Sequence, residues 1–266
     1  MPKFKNIKPT ALITGASSGI GLEFAKLFAA AGHDLILVAR NEKTLNELAS
    51  ELKKKNDVQI MILAKDLSDL KSVETVVKKL ETEKISIDVL INNAGFGDYG
   101  RFIKTNWEKE RQMMELNMVT LTYLSKVFAQ KMAKKGSGKI LNVASMAGFQ
   151  PGPLMAVYYA TKAYVLSFSE AVAYELRNTG VTVTALCPGP TASGFQEAAA
   201  LNRSDLFSGK LPSSAEVAQA GYEGLMKGKT LVIPGFKNKL FIQLLRLAPR
   251  GLVRKVVYQM QKERSS

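Results

Sequence analysis

The stretch Thr14-Gly-Ala-Ser-Ser-Gly-Ile-Gly21 decides the fold of this 266-residue chain. It follows the apolar run 10–14, which is typical of a buried strand. It precedes 20–31, a segment rich in Ala, Leu and Phe that ends at the helix stop signal Gly32. Glycines between a strand and a helix allow a tight turn and the close approach of a pyrophosphate. The stretch predicts a dinucleotide site at a helix N-terminus, with a purely structural turn as the alternative.

A second signal concerns which dinucleotide is bound. The predicted strand 35–39 ends at Ala39 and is followed by Arg40. An acidic residue near this point typically binds the ribose hydroxyl of NAD, whereas an arginine accommodates the 2′-phosphate of NADP. The sequence therefore favours NADP(H) over NAD(H), although Arg40 also fits the solvated start of a charged helix. The residues expected to bind the cofactor here are Gly15, Ser17, Ser18, Gly19, Ile20, Gly21 and Arg40.

Apolar runs alternate with amphipathic segments along the whole chain. Near-continuous apolar runs are typical of strands buried on both faces, and their alternation with helices predicts right-handed crossovers. The sequence predicts an α/β fold with a Rossmann-like, doubly wound, seven-stranded parallel sheet. A single catalytic domain over 1–235 is followed by a basic helical extension over 236–266. The predicted strands are 10–14, 35–39, 58–63, 87–91, 139–143, 181–186 and 230–233, and the predicted helices are 20–31, 42–54, 69–83, 107–134, 155–178 and 215–227.

Three polar residues suggest catalysis. Ser145 follows the fifth predicted strand, and Tyr158 and Lys162 lie four residues apart, on one face of the next helix. A free tyrosine has a pKa of about 10, which a neighbouring ammonium lowers by stabilising the phenolate. Tyr158 is therefore expected to be a general acid/base for carbonyl–alcohol interconversion. A Tyr/Lys pair alone is more often a surface feature, and the nearby dinucleotide turn is what favours a catalytic role.

The chain resembles the short-chain dehydrogenase/reductase family over roughly residues 10–235. The motifs that carry the resemblance are Thr14-Gly-x3-Gly-x-Gly21, Asn92-Asn-Ala-Gly95, Ser145, Tyr158-x3-Lys162 and Pro188-Gly189. The resemblance implies the strand order 3-2-1-4-5-6-7. It also implies hydride transfer between a nicotinamide and a carbonyl or alcohol carbon, and a homodimer or homotetramer.

The resemblance implies roles for single residues. Tyr158 would donate the proton in reduction, Lys162 would lower its pKa and hold the nicotinamide ribose, and Ser145 would orient the substrate oxygen. Asn117 would anchor a proton-relay water, and Asn92 has either a structural or a functional role. Further cofactor contacts are implied for Asp66, Asn93, Ala94, Tyr158, Lys162, Pro188, Gly189, Thr191 and Ser193.

The run Pro188-Gly-Pro-Thr-Ala-Ser193 departs from the family pattern. The family often has an aliphatic residue at the fourth position and a threonine at the sixth, whose hydroxyl binds the nicotinamide carboxamide. Here Thr191 replaces the aliphatic residue and Ser193 occupies the hydroxyl position. Either hydroxyl could bind the carboxamide.

The expected substrate pocket is mostly apolar. Its residues are Ser145, Met146, Phe149, Met155 and Phe195. Apolar pockets with a few polar groups favour lipophilic ligands, so we expect a hydrophobic carbonyl or alcohol, ketoacyl or steroid-like. Some of these residues fit the core equally well.

Composition excludes several classes of protein. A hydrophobic fraction of 46% argues against disorder. The single Cys187 cannot form an internal disulfide and favours a reducing compartment such as the cytoplasm. The single His33 excludes a Cys/His zinc cluster, so we expect no metal. No apolar run approaches the ~18 residues that suggest a membrane span.

The net charge of +14 is concentrated near the C-terminus. Residues 226–266 contain ten basic residues and one acidic residue, a net charge of +9. Two short helices are predicted here, broken at Pro249-Arg-Gly251. Such basic amphipathic segments bind anionic membranes, or pack on the protein itself or on a second subunit with their cations solvated. No recognition motif supports a nucleic-acid partner. The apolar stripes consist of Leu240, Phe241, Leu244, Leu245, Leu252, Val253, Val256, Val257 and Met260.

Two hypotheses for the function remain. The first is an NADP(H)-dependent carbonyl reductase or alcohol dehydrogenase. The second is a non-catalytic dinucleotide-sensing or scaffold protein of the same fold. Such a protein can dispense with Tyr158 and Lys162, so their presence favours the enzyme.

Overall fold

The predicted strands form a single parallel sheet. The computed structural model describes residues 4–5, 7–194 and 211–262. Its strands are β1 Thr10–Thr14, β2 Asp34–Ala39, β3 Ile60–Ala64, β4 Val89–Asn92, β5 Gly138–Val143, β6 Val181–Leu186 and β7 Leu231–Val232. They pair in the order β3-β2-β1-β4-β5-β6-β7, which confirms the expected order and the doubly wound class.

The helices cover both faces of this sheet. They are α1 Gly19–Ala30, α2 Glu42–Lys55, α3 Leu70–Thr82, α4 Trp107–Met114, α5 Leu121–Lys135, α6 Ala156–Glu175, α7 Ser214–Met226, α8 Phe236–Leu247 and α9 Arg250–Gln261. The helix predicted over 107–134 is correct in extent but not uniform, because a π-helical turn, Glu115–Thr120, joins α4 to α5. Two short 3₁₀ turns, Phe102–Lys104 and Met146–Phe149, complete the described helical segments.

Side chains along each strand alternate between the two faces of the sheet, and both faces are buried. In β1, Ile13 packs with the cluster around α1 and α2, whereas Leu12 packs on the opposite face with α3 and α5. In β2, Leu37 and Ile36 divide between the two faces in the same way. Successive side chains of a strand point to opposite faces, so each strand must be apolar throughout.

The strand order reverses at β1, and this places the site. β1 pairs with β2 on one side and with β4 on the other, so the connections leave in opposite directions. Ligands of open α/β sheets bind in the crevice at the carboxyl ends of the strands at such a point. The loops that follow Thr14 and Asn92 both open into this crevice.

A buried polar network crosses the middle of the sheet. Asn92 Nδ2 donates to Asn142 Oδ1 at 2.9 Å and to Ser125 Oγ at 3.0 Å. Asn142 Nδ2 in turn donates to Ser169 Oγ at 2.9 Å. The Asn92 side chain therefore has a structural role. It joins β4 to β5 and to α5 directly, and to α6 through Asn142.

The C-terminal extension packs on the body of the protein. Val253 and Val257 of α9 are buried against Met155, Tyr158 and Tyr159. The two helices lie where the sequence predicts them, on either side of Pro249. In the described part of the chain, no helix combines the length and apolar character needed to cross a bilayer.

Replacing Asn142 with Ala tests the buried network. The change removes one hydrogen bond each from Asn92 Nδ2 and Ser169 Oγ, which keep their bonds to Ser125 and Val165, and it should cost about 1–3 kcal/mol of unfolding free energy. Urea denaturation measures the loss. The control is Asn46→Ala on the exposed face of α2, which should change the free energy by less than about 0.5 kcal/mol. Equal values for Asn142→Ala and wild type would contradict this role.

Candidate active site

A cleft of about 850 Å³ opens along the carboxyl ends of the strands at the point of reversal. It runs from the glycine turn and the end of β2, past the loop after β4, to the segment after β5 and the start of α6. The sequence-predicted residues that line it are Gly15, Ser17, Ser18, Gly19, Ile20, Arg40, Asp66, Asn93, Ala94, Ser145, Met146, Met155, Tyr158, Lys162, Pro188, Gly189, Thr191 and Ser193.

The three glycines of the turn are required for different reasons. A Cβ at Gly21 would lie 2.2 Å from the carbonyl oxygen of Gly15, and a Cβ at Gly15 would lie 2.8 Å from Asn93 Nδ2. These two positions need glycine because of packing within the protein, and Gly21 does not line the cleft. Gly19 has a φ of +55°, and a Cβ there would meet nothing closer than 3.6 Å, at Ser193. Gly19 therefore leaves the space through which a pyrophosphate can approach the start of α1.

The end of the cleft near β2 carries positive charge. Arg40 is exposed, and Lys65 lies beside it in the lining. Within the described residues, no carboxylate lies within 4 Å of either cation. Asp66 faces its own loop, where Oδ1 accepts hydrogen bonds from the backbone N–H and the hydroxyl of Ser68. The glycine turn and the open space at Gly19 fit a dinucleotide, and the two cations lie at one end of the space that it would occupy.

The catalytic candidates meet at the opposite end. Tyr158 and Ser145 both line this end of the cleft, and the Ser145 hydroxyl donates to the carbonyl of Pro188 at 3.4 Å. Ser145 Oγ also accepts the backbone N–H of Ala147 at 3.1 Å, which fixes the serine side chain in the 3₁₀ turn. Lys162 Nζ lies 5.8 Å from the centre of the Tyr158 ring and donates to the carbonyl of Val143 at 2.8 Å.

The sequence predicts a lowered pKa for Tyr158, and this prediction is wrong. Burial raises the pKa of Tyr158 above its ordinary value, and the hydrogen bond with Ser145 only partly opposes this. Burial also lowers the pKa of Lys162 to about 8. Lys162 donates to Val143 rather than to the phenol, so its charge does not offset the desolvation of a phenolate.

Asn117 lies in the π-helical turn and holds the loop after β4. Its Nδ2 donates to the carbonyl of Phe96 at 3.0 Å and to Thr161 Oγ1 at 3.1 Å. A Cβ at Gly95 would lie 2.9 Å from Asn117 Oδ1 and 3.7 Å from Lys162 Nζ, so only glycine fits between the two side chains. Asn117 does not line the cleft, and its role in a water relay stays a prediction.

Thr191 and Ser193 differ in what surrounds them. Thr191 is buried, and its hydroxyl donates to the carbonyl of Gly189 at 2.9 Å. Ser193 lies next to Gly19 of the glycine turn. Both residues line the cleft.

The expected substrate residues separate into three groups. Met146 and Met155 line the cleft together with Ser145. Phe149 does not line it, because its side chain packs against the cluster formed by α6, β6 and the start of α5. Phe195 lies outside the described residues.

The cleft also contains residues that the sequence did not predict. Asn238 and Phe241 of α8 and Met260 of α9 form part of its wall. Helical spacing identified both tail helices as amphipathic. It could not say which apolar side faces the protein, because each helix has more than one apolar stripe.

A buried glutamine holds the tail against the catalytic helix. Gln261 is fully buried, and its Nε2 donates to the hydroxyl of Tyr159. The hydroxyl of Tyr99 donates to the backbone carbonyl of Gln261 at 2.7 Å. Tyr159 is thus occupied with the tail, whereas Tyr158 lies beside Ser145 in the lining of the cleft. Across the described ranges, no group of three or more His, Cys, Asp or Glu side chains is placed to bind a metal.

The chain is similar in sequence to short-chain dehydrogenases and other oxidoreductases. The family model described as short chain dehydrogenase matches residues 9–204. The chain is 33% identical over 178 residues to "Probable oxidoreductase EphD" of Mycobacterium tuberculosis, covering 66% of this chain but only 30% of that protein. It is also 33% identical over 180 residues to the 7beta-hydroxysteroid dehydrogenase of Collinsella aerofaciens, covering 68% of each chain.

Solved structures share the fold over nearly the whole chain. A short-chain dehydrogenase from Sphingobium yanoikuyae in complex with NADPH has 34% identity and a TM-score of 0.82, covering 92% of this chain and 94% of that one. The bulky-bulky ketone specific alcohol dehydrogenase from Comamonas testosteroni has 34% identity and a TM-score of 0.78, covering 93% and 94%. A Burkholderia phymatum short chain dehydrogenase/reductase in complex with NAD has 25% identity and a TM-score of 0.81, covering both chains fully.

The buried Lys162 predicts a pH dependence of stability. Its pKa falls from 10.5 to about 8 on folding, so between these values the unfolded chain binds more protons than the folded chain. The cost of burying a charged Lys162 is full below about pH 8 and disappears as the pH rises towards 10.5. The stability of wild type relative to Lys162→Met should therefore increase with pH.

Urea unfolding of both proteins at about pH 7 and about pH 9.5 measures this change. The same comparison with Lys54→Met, at an exposed position of α2, should give a constant difference. A difference for Lys162→Met that does not change with pH would contradict the assignment.

Proposed function

Since the chain belongs to the short-chain dehydrogenase/reductase family, we propose that it is an NADP(H)-dependent oxidoreductase that interconverts a carbonyl and an alcohol. The observation that carries the proposal is the cleft itself. It joins a glycine turn suited to a pyrophosphate to a Tyr158–Ser145 pair with Lys162 behind it.

Proton transfer is assigned to Tyr158. The phenol of Tyr158 is protonated at neutral pH, since burial raises its pKa further above that range, and it would donate this proton to a carbonyl oxygen during reduction. Ser145 lines the cleft beside Tyr158 and is fixed by its bonds to Ala147 and Pro188, so it can hold the substrate oxygen beside the phenol. Lys162 is buried next to this pair and lines the cleft, where its ammonium would hold the nicotinamide ribose.

The cofactor is expected to lie along the cleft. When bound, a nicotinamide dinucleotide supplies or accepts the hydride. The backbone N–H groups at Gly19 and Ile20, together with Ser17 and Ser18, would hold its pyrophosphate. Ser193 and Thr191 would hold the nicotinamide end.

Preference for NADP(H) is supported by charge at the end of β2. Arg40 and Lys65 both line the cleft there, and Ala39 provides no carboxylate for a ribose hydroxyl. A 2′-phosphate would be attracted to both cations, whereas NAD(H) would gain little from them. The related structures include one complex with NADPH and one with NAD, so the argument depends on the residues of this chain.

A lipophilic substrate is supported by the pocket near Tyr158. Met146, Met155, Phe241 and Met260 give that end of the cleft an apolar wall. Among the similar proteins, one is a 7beta-hydroxysteroid dehydrogenase and another is specific for bulky-bulky ketones. We propose a bulky ketone or the corresponding secondary alcohol, ketoacyl or steroid-like.

We also propose a homodimer or homotetramer in the cytoplasm. Val119 and Tyr164 expose apolar surface on neighbouring helices, a feature of subunit contacts.

The only cysteine, Cys187, is fully buried, and burial raises the pKa of its thiol to about 12. A non-catalytic dinucleotide-binding protein is less well supported, because it would not need Ser145, Tyr158 and Lys162 together in the cleft.

Tyr158→Phe should reduce turnover by about 10²–10⁴-fold because it removes the transferred proton. Binding of NADPH, measured by fluorescence titration, should stay within a few-fold of wild type. Tyr159→Phe is the matched control, since that hydroxyl is bonded to Gln261 and should leave proton transfer intact. Normal turnover by Tyr158→Phe would refute the mechanism.

Arg40→Ala should weaken NADPH binding by about ten- to a hundredfold and leave NADH binding nearly unchanged, because only NADPH carries the 2′-phosphate. Parallel titrations with both cofactors, followed by a ketone screen with each, measure the effect. Arg177→Ala, at an arginine that does not line the cleft, is the control. Equal weakening for both cofactors would argue against the assigned role of Arg40.

A further inference from the structure

Helix α8 has two apolar sides, and only one of them is covered. Phe241, Ile242 and Leu245 face the protein. On the opposite side lies a second stripe, which we call the outer stripe, and each of its residues is more than half exposed. Their spacing of four, four and three residues keeps them within an arc of about 80° on the helix. The outer stripe consists of Phe236, Leu240, Leu244 and Leu247.

Positive charges border the outer stripe. Lys237 lies on one side of it, and Lys239 and Arg246 lie on the other, as helical geometry places them. The next helix adds Arg254 and Lys255, both exposed. Many lysines of the body pair with carboxylates, whereas in the described ranges no tail cation has a carboxylate within 4 Å. The tail thus presents apolar side chains flanked by cations without acidic partners.

From this arrangement we infer that the outer stripe and its flanking cations dock on an anionic lipid surface. A helix lying at a membrane interface places an apolar face at the boundary of headgroups and acyl chains, and its cations reach the phosphates. The net charge of +9 over residues 226–266 complements such a surface.

A second copy of the chain fits this face poorly. A two-fold interface brings the same patch of each subunit together. Here that would place the cations around Lys237, Lys239 and Arg246 of both copies against each other, with no acidic residue of the face to separate them. Lipid phosphates remove this repulsion, which is why lipid is the favoured occupant.

The inner side of the same tail lines the cleft. Phe241 and Met260 contribute to its wall, and Met260 is also partly exposed. Docking would therefore place the apolar end of the cleft beside the lipid phase, from which a hydrophobic substrate can enter. This consequence rests on the proposed function, whereas the docking itself does not.

Co-sedimentation of the full-length protein with vesicles tests the inference without any measurement of activity. Phosphatidylcholine vesicles containing phosphatidylserine should bind the wild-type protein, pure phosphatidylcholine should bind it much less, and salt should weaken binding. Leu240→Ser/Leu244→Ser/Leu247→Ser should reduce binding by about tenfold or more. Lys237→Glu/Lys239→Glu/Arg246→Glu should abolish the preference for anionic vesicles.

Two matched variants control for nonspecific effects. Phe102→Ser/Ile103→Ser/Trp107→Ser removes equally exposed apolar side chains elsewhere, and Lys53→Glu/Lys54→Glu/Lys78→Glu makes the same change of charge on α2 and α3. Both should bind vesicles like wild type, and circular dichroism confirms folding of all variants. Failure of wild type to bind anionic vesicles, or equal losses in tail and control variants, would overturn the inference. So would a tail variant that lowers the oligomeric state in light scattering while vesicle binding is unchanged, because the occupant is then a second copy.

Discussion

Hydrogen bonds between Thr14 and Asn93 join the two loops on which the site depends. Thr14 Oγ1 accepts the backbone N–H groups of Asn93 and Ala94 at 2.9 and 3.0 Å, and it donates to the carbonyl of Ile91 at 3.1 Å. A hydroxyl has one donor and two acceptor positions, so the capacity of this buried side chain is fully used. Asn93 Nδ2 returns two bonds, to the carbonyls of Thr14 and Gly15. The close contacts at Gly15 and Gly21 follow from this arrangement, because no side chain fits between loops held so near each other.

Much of this could be predicted from the sequence, and the failures have physical causes. Apolar periodicity located the strands and helices, since a sheet buried on both faces leaves a strong pattern. The π-helical turn around Asn117 was missed because one additional residue in a helical turn does not change which residue types are present. The raised pKa of Tyr158 was missed because it depends on burial, which spacing to Lys162 cannot report.

The tail shows the limit of helical patterns most clearly. Spacing grouped Leu240, Phe241, Leu244 and Leu245 into a single stripe, but the structure turns Phe241 and Leu245 towards the protein and Leu240 and Leu244 away from it. Packing on the protein itself, one of the explanations left open for this segment, describes the inner side of the helix. The position of α9 on the body is fixed by Gln261, which is hydrogen-bonded to Tyr99 and Tyr159. That contact joins residues distant in sequence and has no local signature.

The position of Gln261 has a consequence for biosynthesis. Its partner Tyr99 lies 162 residues earlier in the chain, and Tyr159 lies 102 residues earlier. Proteins are made from the N-terminus at about 5–20 residues per second, and domains begin to fold as they emerge. The sheet and the glycine turn can therefore form while the wall of the cleft is still inside the ribosome. The half of the cleft beside the glycine turn is available first, and the half beside Tyr158 closes only after α9 has emerged.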